Sequence, residues 1–415
     1  MYRLILWIRD SENQLWVKPA VGSLVAVLFA LLATAGNQFI PDGSLPVIEQ
    51  ETLDSLLGVI ASSMLAVTTF SLAIMVSAFA SAAQGATPRA TALVIGDTDT
   101  HTAIASFISA FIYSIIAKTA VGLGYYGPNG RFILFLSTLL VLGYLIWTLV
   151  RWVKTLSRLG RMDNTISKIN KAASAAMRRH RQSPRMGALA SVAPPVGAKP
   201  VHATRVAYLQ HIDMDALQKL AVEADGRLHI LVRPGALTHP GTVLVMMDCA
   251  KPPSDERVRE SFVFGDGRSF DQDPRFGLIV LSEVALRALS PAVNDPGTAI
   301  AAMTAMAQVL IDAKPDTDDE VPQRDRLTLA DLVEDDFIHA GFDPIARDGA
   351  ASREVVIRMQ KLLGAIADNC GGALARAARR QALTAVQRAD QAMPLEDDKV
   401  AVRQAFESTH RAQPV

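Results

Sequence analysis

The pattern of apolar and polar positions changes character near residue 153. Before it, four apolar stretches, 20–40, 53–82, 103–123 and 132–150, each supply the ~20 residues that a helix needs to cross ~30 Å of hydrocarbon. After it, apolar residues recur among charges at helical or alternating spacing, as they do in proteins that fold in water. The pattern predicts an α-helical integral membrane domain of four transmembrane helices over 1–153, then a basic helix and linker over 154–200. A small α+β cytoplasmic unit over 201–260 and a mostly helical cytoplasmic domain over 261–415 complete the predicted organisation.

The second stretch is unusual in length and in pattern. Residues 55–88 run for 34 positions without a charge, ~50 Å if wholly helical, so the helix must tilt or project beyond the bilayer. At 100° per residue, Ser55, Ser62, Ala66, Thr69, Ala73, Ser77 and Ser81 share one side. Leu57, Ile60, Met64, Met75 and Phe79 take the opposite side, where Thr68 and Ser71 are exceptions. Two readings fit such a face. Small residues at four-residue spacing, Ala73, Ser77, Ser81 and Gly85, let a neighbouring helix of the same chain approach closely. Alternatively, equivalent helices of a homo-oligomer turn Ser62, Thr69, Ser77 and Ser81 to a shared axis and line a narrow wet path for an ion or small solute.

Charge gives the chain a direction. Arg3, Arg9 and Lys18 precede the first stretch, and a dense basic run from Arg151 to Arg185 follows the fourth. Between the first two stretches stand Asp42, Glu49, Glu51 and Asp54 with no Lys or Arg, so the positive-inside rule predicts that both termini are cytoplasmic. Ala33, Thr34 and Ala35 offer a signal-cleavage pattern, but the long preceding segment with Trp7 and Trp16 favours a retained span. Lys118, near the outer end of the third stretch, is expected to snorkel to the interface. The basic run follows directly on a membrane span, so topology and anionic lipid headgroups account for it, and no nucleic-acid partner is expected. Half the residues are hydrophobic and the net charge is +0, averages that conceal this segregation.

In the soluble part, 205–210 reads as a strand and 213–226 as a helix with an Asp start and a Gly stop. Residues 227–247 read as two strands joined by a Pro/Gly-rich turn, 234–241, whose expected role is packing. A linker is expected at 186–200, where small residues and prolines accumulate, and the acidic stretch 314–325 reads as a solvated loop. Cys249 and Cys370 have neither metal-ligand nor redox spacing and are expected to be buried as small apolar residues. The densest polar patch is 267–303. A helix is predicted over 276–289 with Glu283 and Arg287 paired, then Ser290–Pro291 and Asp295–Pro296 as two successive cap and first-turn pairs. Such a double turn is expected to gather helix N-termini near Arg268, Asp271, Asp273, Asn294 and Asp295, as a ligand or inter-subunit contact together with Glu283.

The stretches RSFDQDPRFGLIVLSEVALRALSPAVNDPGTA, LQHIDMDALQKLA, RPGALTHPGTVL and SSMLAVTTFSLAIMVSAFASAAQGATPRA resemble the domain of unknown function 2254 family, over about residues 1–380. The chain departs from that family's pattern at GLIVLSEVA, where the family has a more polar stretch and Asp at the position of Glu283. The resemblance implies a multi-pass protein of the bacterial inner membrane and supplies no reaction.

The sequence contains no nucleophile elbow, Walker loop, dinucleotide loop or His-based ligand set, so no catalytic residue, metal site or cofactor is expected. The leading expectation is a homo-oligomeric channel or transport-related protein whose cytoplasmic part controls it. The alternatives are a membrane-anchored metal-dependent enzyme using Asp271, Asp273, Glu283 and Asp295, and a non-transporting envelope scaffold or sensor.

Overall fold

The computed structural model describes residues 45–410 except 86, 96, 97, 158, 159 and 314–323, together with positions 17, 20, 21, 23, 24 and 28. The chain divides into two compact units, 1–84 with 88–165, and 85–87 with 166–415.

In the first unit, α1 (Gln50–Gly85), α2 (Pro88–Ile95), α3 (Thr98–Gly122) and α4 (Pro128–Leu156) follow one another. Among the described residues, three helices are long and apolar enough to cross a membrane: Gln50–Ser81, Thr100–Gly122 and Pro128–Leu156. The first expected span, 20–40, lies outside the described residues apart from isolated positions, so three spans are described where the sequence predicts four. Helix α4 starts with Pro at its first position after Gly127, a site where the missing N–H costs nothing. Large side chains hold the bundle. Leu53 and Leu57 of α1 meet Tyr113, Ala117 and Leu134, while Ile60 and Met64 meet Phe107, Leu145 and Trp152. The Tyr113 hydroxyl, between the helices, pairs with Ser137 at 3.0 Å and Thr138 at 3.1 Å, whereas the buried hydroxyls of Ser71, Ser114 and Thr148 have no hydrogen-bond partner among the described residues. Lys118 does not simply snorkel: its ammonium donates to the Asp54 carboxylate at 2.6 Å and to the Asp54 carbonyl at 3.1 Å, joining α3 to α1.

The second unit contains α5 (Met162–Gln182) from residue 166 onward and two sheets. The five-stranded sheet has the order β1 (Ala188–Ala190), β8 (Arg324–Leu329), β4 (Gly226–Ile230), β6 (Val243–Cys249), β2 (Lys199–His202). Its first three strands are mutually parallel and the last two pairings antiparallel. The three-stranded sheet, β5 (Leu237–Thr238), β3 (Ala207–Ile212), β7 (Phe262–Gly265), is antiparallel throughout. Between them, α6 (Met214–Glu223) buries Leu217, Leu220 and Ala221 on a core with Leu209, Leu228, Val245 and Leu327. Asp213 caps α6 by accepting from the Ala216 N–H at 3.0 Å, as its position in the sequence predicts. The short α7 (Asp255–Arg259) precedes β7.

Two sequence expectations change here. The segment 186–200 carries β1 and the start of β2 rather than a plain linker, and Ala188 is buried in the core. The RDRLTL segment at the end of the expected acidic loop forms a central strand, β8, with Arg324 paired to Asp215 at 2.8 Å. Its apolar half alone enters the core, which is why charge masked the strand in the sequence. Cys249 and Cys370 are free thiols, and both are only partly buried.

Six helices form the remaining layer: α8 (Phe276–Leu289), α9 (Pro296–Asp312), α10 (Asp335–Asp348), α11 (Arg353–Asn369), α12 (Gly372–Ala392) and α13 (Glu396–His410). Helix α8 is the hub, with Leu278, Leu281, Val284 and Ala285 fully buried. Gly277 lets it approach α5 so closely that a Cβ there would overlap Ala173. Gly277→Leu is therefore expected to lower stability by roughly 1–3 kcal/mol through overpacking, read as faster hydrogen exchange of α8 amides in the full chain; unchanged protection would contradict this packing.

Candidate functional site

The loop 266–275 sets the site by docking on the second sheet and then turning into α8. The side-chain amide of Gln272 accepts from the Ile212 N–H at 2.9 Å and donates to its carbonyl at 3.3 Å, so it behaves as an extra rung at the end of β3. Beside it, Asp271 pairs with His211 Nδ1 at 2.9 Å, and the Arg179 guanidinium donates to the Asp271 carbonyl at 2.5 Å. Asp273 goes inward and is 1% exposed. Its carboxylate accepts from Arg268 Nε at 2.8 Å and Nη2 at 2.5 Å, and from the Arg275 backbone N–H at 3.2 Å. A buried carboxylate needs a partner of this kind, and at the start of α8 it also complements the helix dipole. Arg268 is in turn clamped over the Phe276 ring at 5.5 Å, and Phe270 packs on that ring at 4.6 Å.

Residues 233–236, at the start of the turn 234–241 for which packing is the favoured expectation over ligand binding, close the other side. Gly235 has φ +92°, and a Cβ there would strike the Asp273 carboxylate and Arg268, so the backbone itself covers the ion pair. The turn is tied to β3 by Gly235 N–H to the Leu209 carbonyl at 2.8 Å and Leu209 N–H to the Ala236 carbonyl at 2.9 Å. Outside the pair lies a cavity of about 610 Å³ with Gly235, Ala236, Ile279 and Ala340 as its small or apolar wall. Arg268, Arg275, Asp336 and His339 supply its polar groups. Arg275 Nη1 reaches Asp336 of α10 at 3.3 Å.

The structure brings Arg268, Asp271 and Asp273 to the N-terminal end of α8 and leaves the other expected residues elsewhere. Asn294 and Asp295 follow its C-terminal end, ~20 Å away along 14 residues of helix. Ser290 ends α8 instead of starting a helix: its hydroxyl donates to the Arg287 carbonyl at 2.7 Å, and residues 291–293 form a turn. Asn294 takes φ +48°, and Asp295 caps α9 as predicted, accepting from the Thr298 N–H at 3.0 Å and hydroxyl at 2.6 Å. Those bonds hold the Asp295 carboxyl below its ordinary pKa. Glu283, midway along α8, accepts from the Thr87 hydroxyl at 3.1 Å. Among the described residues no cluster of three or more His, Cys, Asp or Glu could hold a metal ion. Arg275, Asp336, His339 and Gly235 are not among the residues expected from the sequence; Arg275 stands inside the polar motif, whereas Asp336 is 61 residues from its partner and carries no local signal.

In the membrane unit, Ser55, Ser62, Ala66, Thr69, Ala73, Ser77 and Ser81 are all exposed. The opposite side of α1 does the packing, with Leu57, Ile60, Met64, Thr68, Ser71 and Met75 buried. The Ser62 hydroxyl donates to the Val59 carbonyl at 3.1 Å and Thr69 to the Leu65 carbonyl at 2.9 Å.

In the second unit, Asp273→Ala strands the Arg268 charge and is expected to cost about 3–5 kcal/mol, seen as a lower thermal midpoint of the full chain; an unchanged midpoint would refute the clamp. His180 of α5, beside the Phe337 ring, has its pKa lowered to about 4 by burial and then by Arg233 and Arg181. The unfolded chain takes up this proton near 6.5, so stability is complete above that pH and falls as pH drops toward 4. His180→Leu is expected to flatten the melting profile in that window, and an equally steep profile would contradict it.

A profile of the domain of unknown function 2254 family, described as predicted membrane protein, matches residues 12–365. Uncharacterised proteins of Mycobacterium bovis and Mycobacterium tuberculosis are each 33% identical over 221 residues, covering 48% of this chain and 40% of theirs. The match thus spans well under half the length of these relatives. No solved structure matches. The matched region takes in the described spans, the polar loop and most of the helical layer, and the chain belongs to this family of predicted membrane proteins.

Proposed function

We propose that the protein is a homo-oligomeric, multi-pass protein of the bacterial inner membrane whose α1 helices together line a path for an ion or small solute. The observation that supports this reading is the orientation of α1: Leu57, Ile60, Met64 and Met75 are buried, while Ser55, Ser62, Ala66, Thr69, Ala73, Ser77 and Ser81 are exposed together with Val59, Leu65, Phe70 and Val76. The hydroxyl chemistry points the same way. Ser62 and Thr69 spend their hydrogens on the helix's own carbonyls, so the oxygen lone pairs are what they offer outward. A ring of such oxygens suits a hydrated cation or a neutral hydrogen-bonding solute better than an anion.

In this reading the span at 20–40 is the fourth membrane helix and both termini are cytoplasmic, as the charge distribution favours. The second unit then sits on the cytoplasmic side and sets whether the path is open, with exposed Asp271, Asn294 and Asp295 available for contacts between subunits. The metal-dependent enzyme has less support, because the Asp273 carboxylate is already committed to Arg268.

The test is the conductance of purified full-length protein in a planar bilayer. Discrete currents are expected, and Thr69→Trp is expected to abolish them without reducing insertion. Currents that persist unchanged in a folded Thr69→Trp protein would rule out this lining.

A further inference from the structure

The cavity outside the Arg268–Asp273 pair is a site of a different kind from the membrane path, and ligand binding there does not depend on whether α1 conducts. At about 610 Å³ it falls within the roughly 300–1,000 Å³ range of small-molecule sites. Arg275 is the group that asks for a ligand. Its side chain is 23% exposed, and its one side-chain hydrogen bond among the described residues is from Nη1 to Asp336. Its Nε is buried and lies 3.7 Å from Asp273 Oδ1, near enough for charge attraction but without a hydrogen-bond acceptor. A guanidinium carries five N–H donors in a planar fork, so Arg275 has Nη donors beyond the one on Asp336 to offer an anion. Arg268 engages only Nε and Nη2 on Asp273, so Nη1 is a second donor at the same wall. The cavity also lies against the first turn of α8, whose dipole favours a negative group.

The rest of the lining narrows the ligand. Asp336 is 47% exposed and can only accept when ionised, so it suits a ligand that also carries hydroxyl donors. Gly235, Ala236 and Ala340 leave room for something larger than a bare ion. We propose that this cavity binds a small hydroxylated organic phosphate, of the size of a sugar phosphate, with the phosphate on Arg275 and Arg268 and the hydroxyls on Asp336.

Titration calorimetry on the full chain in phosphatidylcholine nanodiscs tests this with ribose 5-phosphate, inorganic phosphate and ribose as probes. Saturable binding of ribose 5-phosphate is expected, tighter than inorganic phosphate, with none for ribose. Arg275→Gln is expected to weaken it on the order of tenfold or more. Because that variant also loses its contact to Asp336, Ala340→Trp provides an independent check: it intrudes into the cavity without removing a charge and is expected to weaken binding. Absence of saturable binding to the wild-type protein would overturn the proposal, as would undiminished binding to Ala340→Trp in a protein with an unchanged melting point. Loss of ribose 5-phosphate binding in phosphatidylglycerol discs would assign the phosphate contacts to a lipid headgroup and equally overturn the soluble ligand.

Discussion

Inside a bilayer no water is at hand to satisfy a polar group, and α1 meets that constraint for three of its hydroxyls. It returns the Ser62, Thr68 and Thr69 hydroxyl hydrogens to carbonyls one turn back, so none of these donors is stranded. Having done so, the helix is free to place small polar residues outside, while Leu53, Leu57, Ile60 and Met64 build the contact with α3 and α4. The Asp54–Lys118 pair fixes the register of α1 and α3 near one end, where Gly58 allows the ammonium to lie within 3.4 Å of a Cβ position. Among the described residues, α1 packs through one side and is exposed on the other.

The second unit solves a related problem with a different device. Asp273 is a carboxylate almost wholly out of water, and every neighbour accommodates it: Arg268 supplies the counter-charge, Phe276 supports the guanidinium, and Gly235 brings its backbone within reach. These residues come from the hairpin region, the connecting loop and α8, so the pair joins the β part to the helical layer. It also leaves Arg275 beside a cavity with donors in excess of its partners.

Much of this was legible in the sequence where a local rule determines the outcome. Asp213 and Asp295 cap their helices, Pro296 opens α9, and α8 runs over the residues its apolar periodicity marks. The failures arise from distant pairing in one case and from a competing local turn in another. RDRLTL looks like the tail of an acidic loop until parallel pairing with Ala188–Ala190 and Gly226–Ile230 makes it a central strand. Ser290–Pro291 mimics a helix start, but the Asn294 backbone at φ +48° and the Ser290 bond to Arg287 turn the chain out of α8 first. The polar motif 267–295 was contiguous in sequence, and the helix in its middle separates it into two places. The two faces of α1 were visible as a periodicity; which of them faced the bundle was not, because both small and large faces can pack.

Whether the small-residue face of α1 meets water in the assembled protein decides between a path and a seam. Single cysteines at Ser62, Thr69 and Ser77, in a Cys249→Ser, Cys370→Ser background, can be challenged in intact membranes with a charged, membrane-impermeant thiol reagent. A water-lined path predicts that these positions react in the assembled state while a cysteine at buried Met64 does not. Protection at all three positions, equal to that of a cysteine at exposed Leu140 of α4, would mean that the face looks at hydrocarbon or at another helix and would contradict the path.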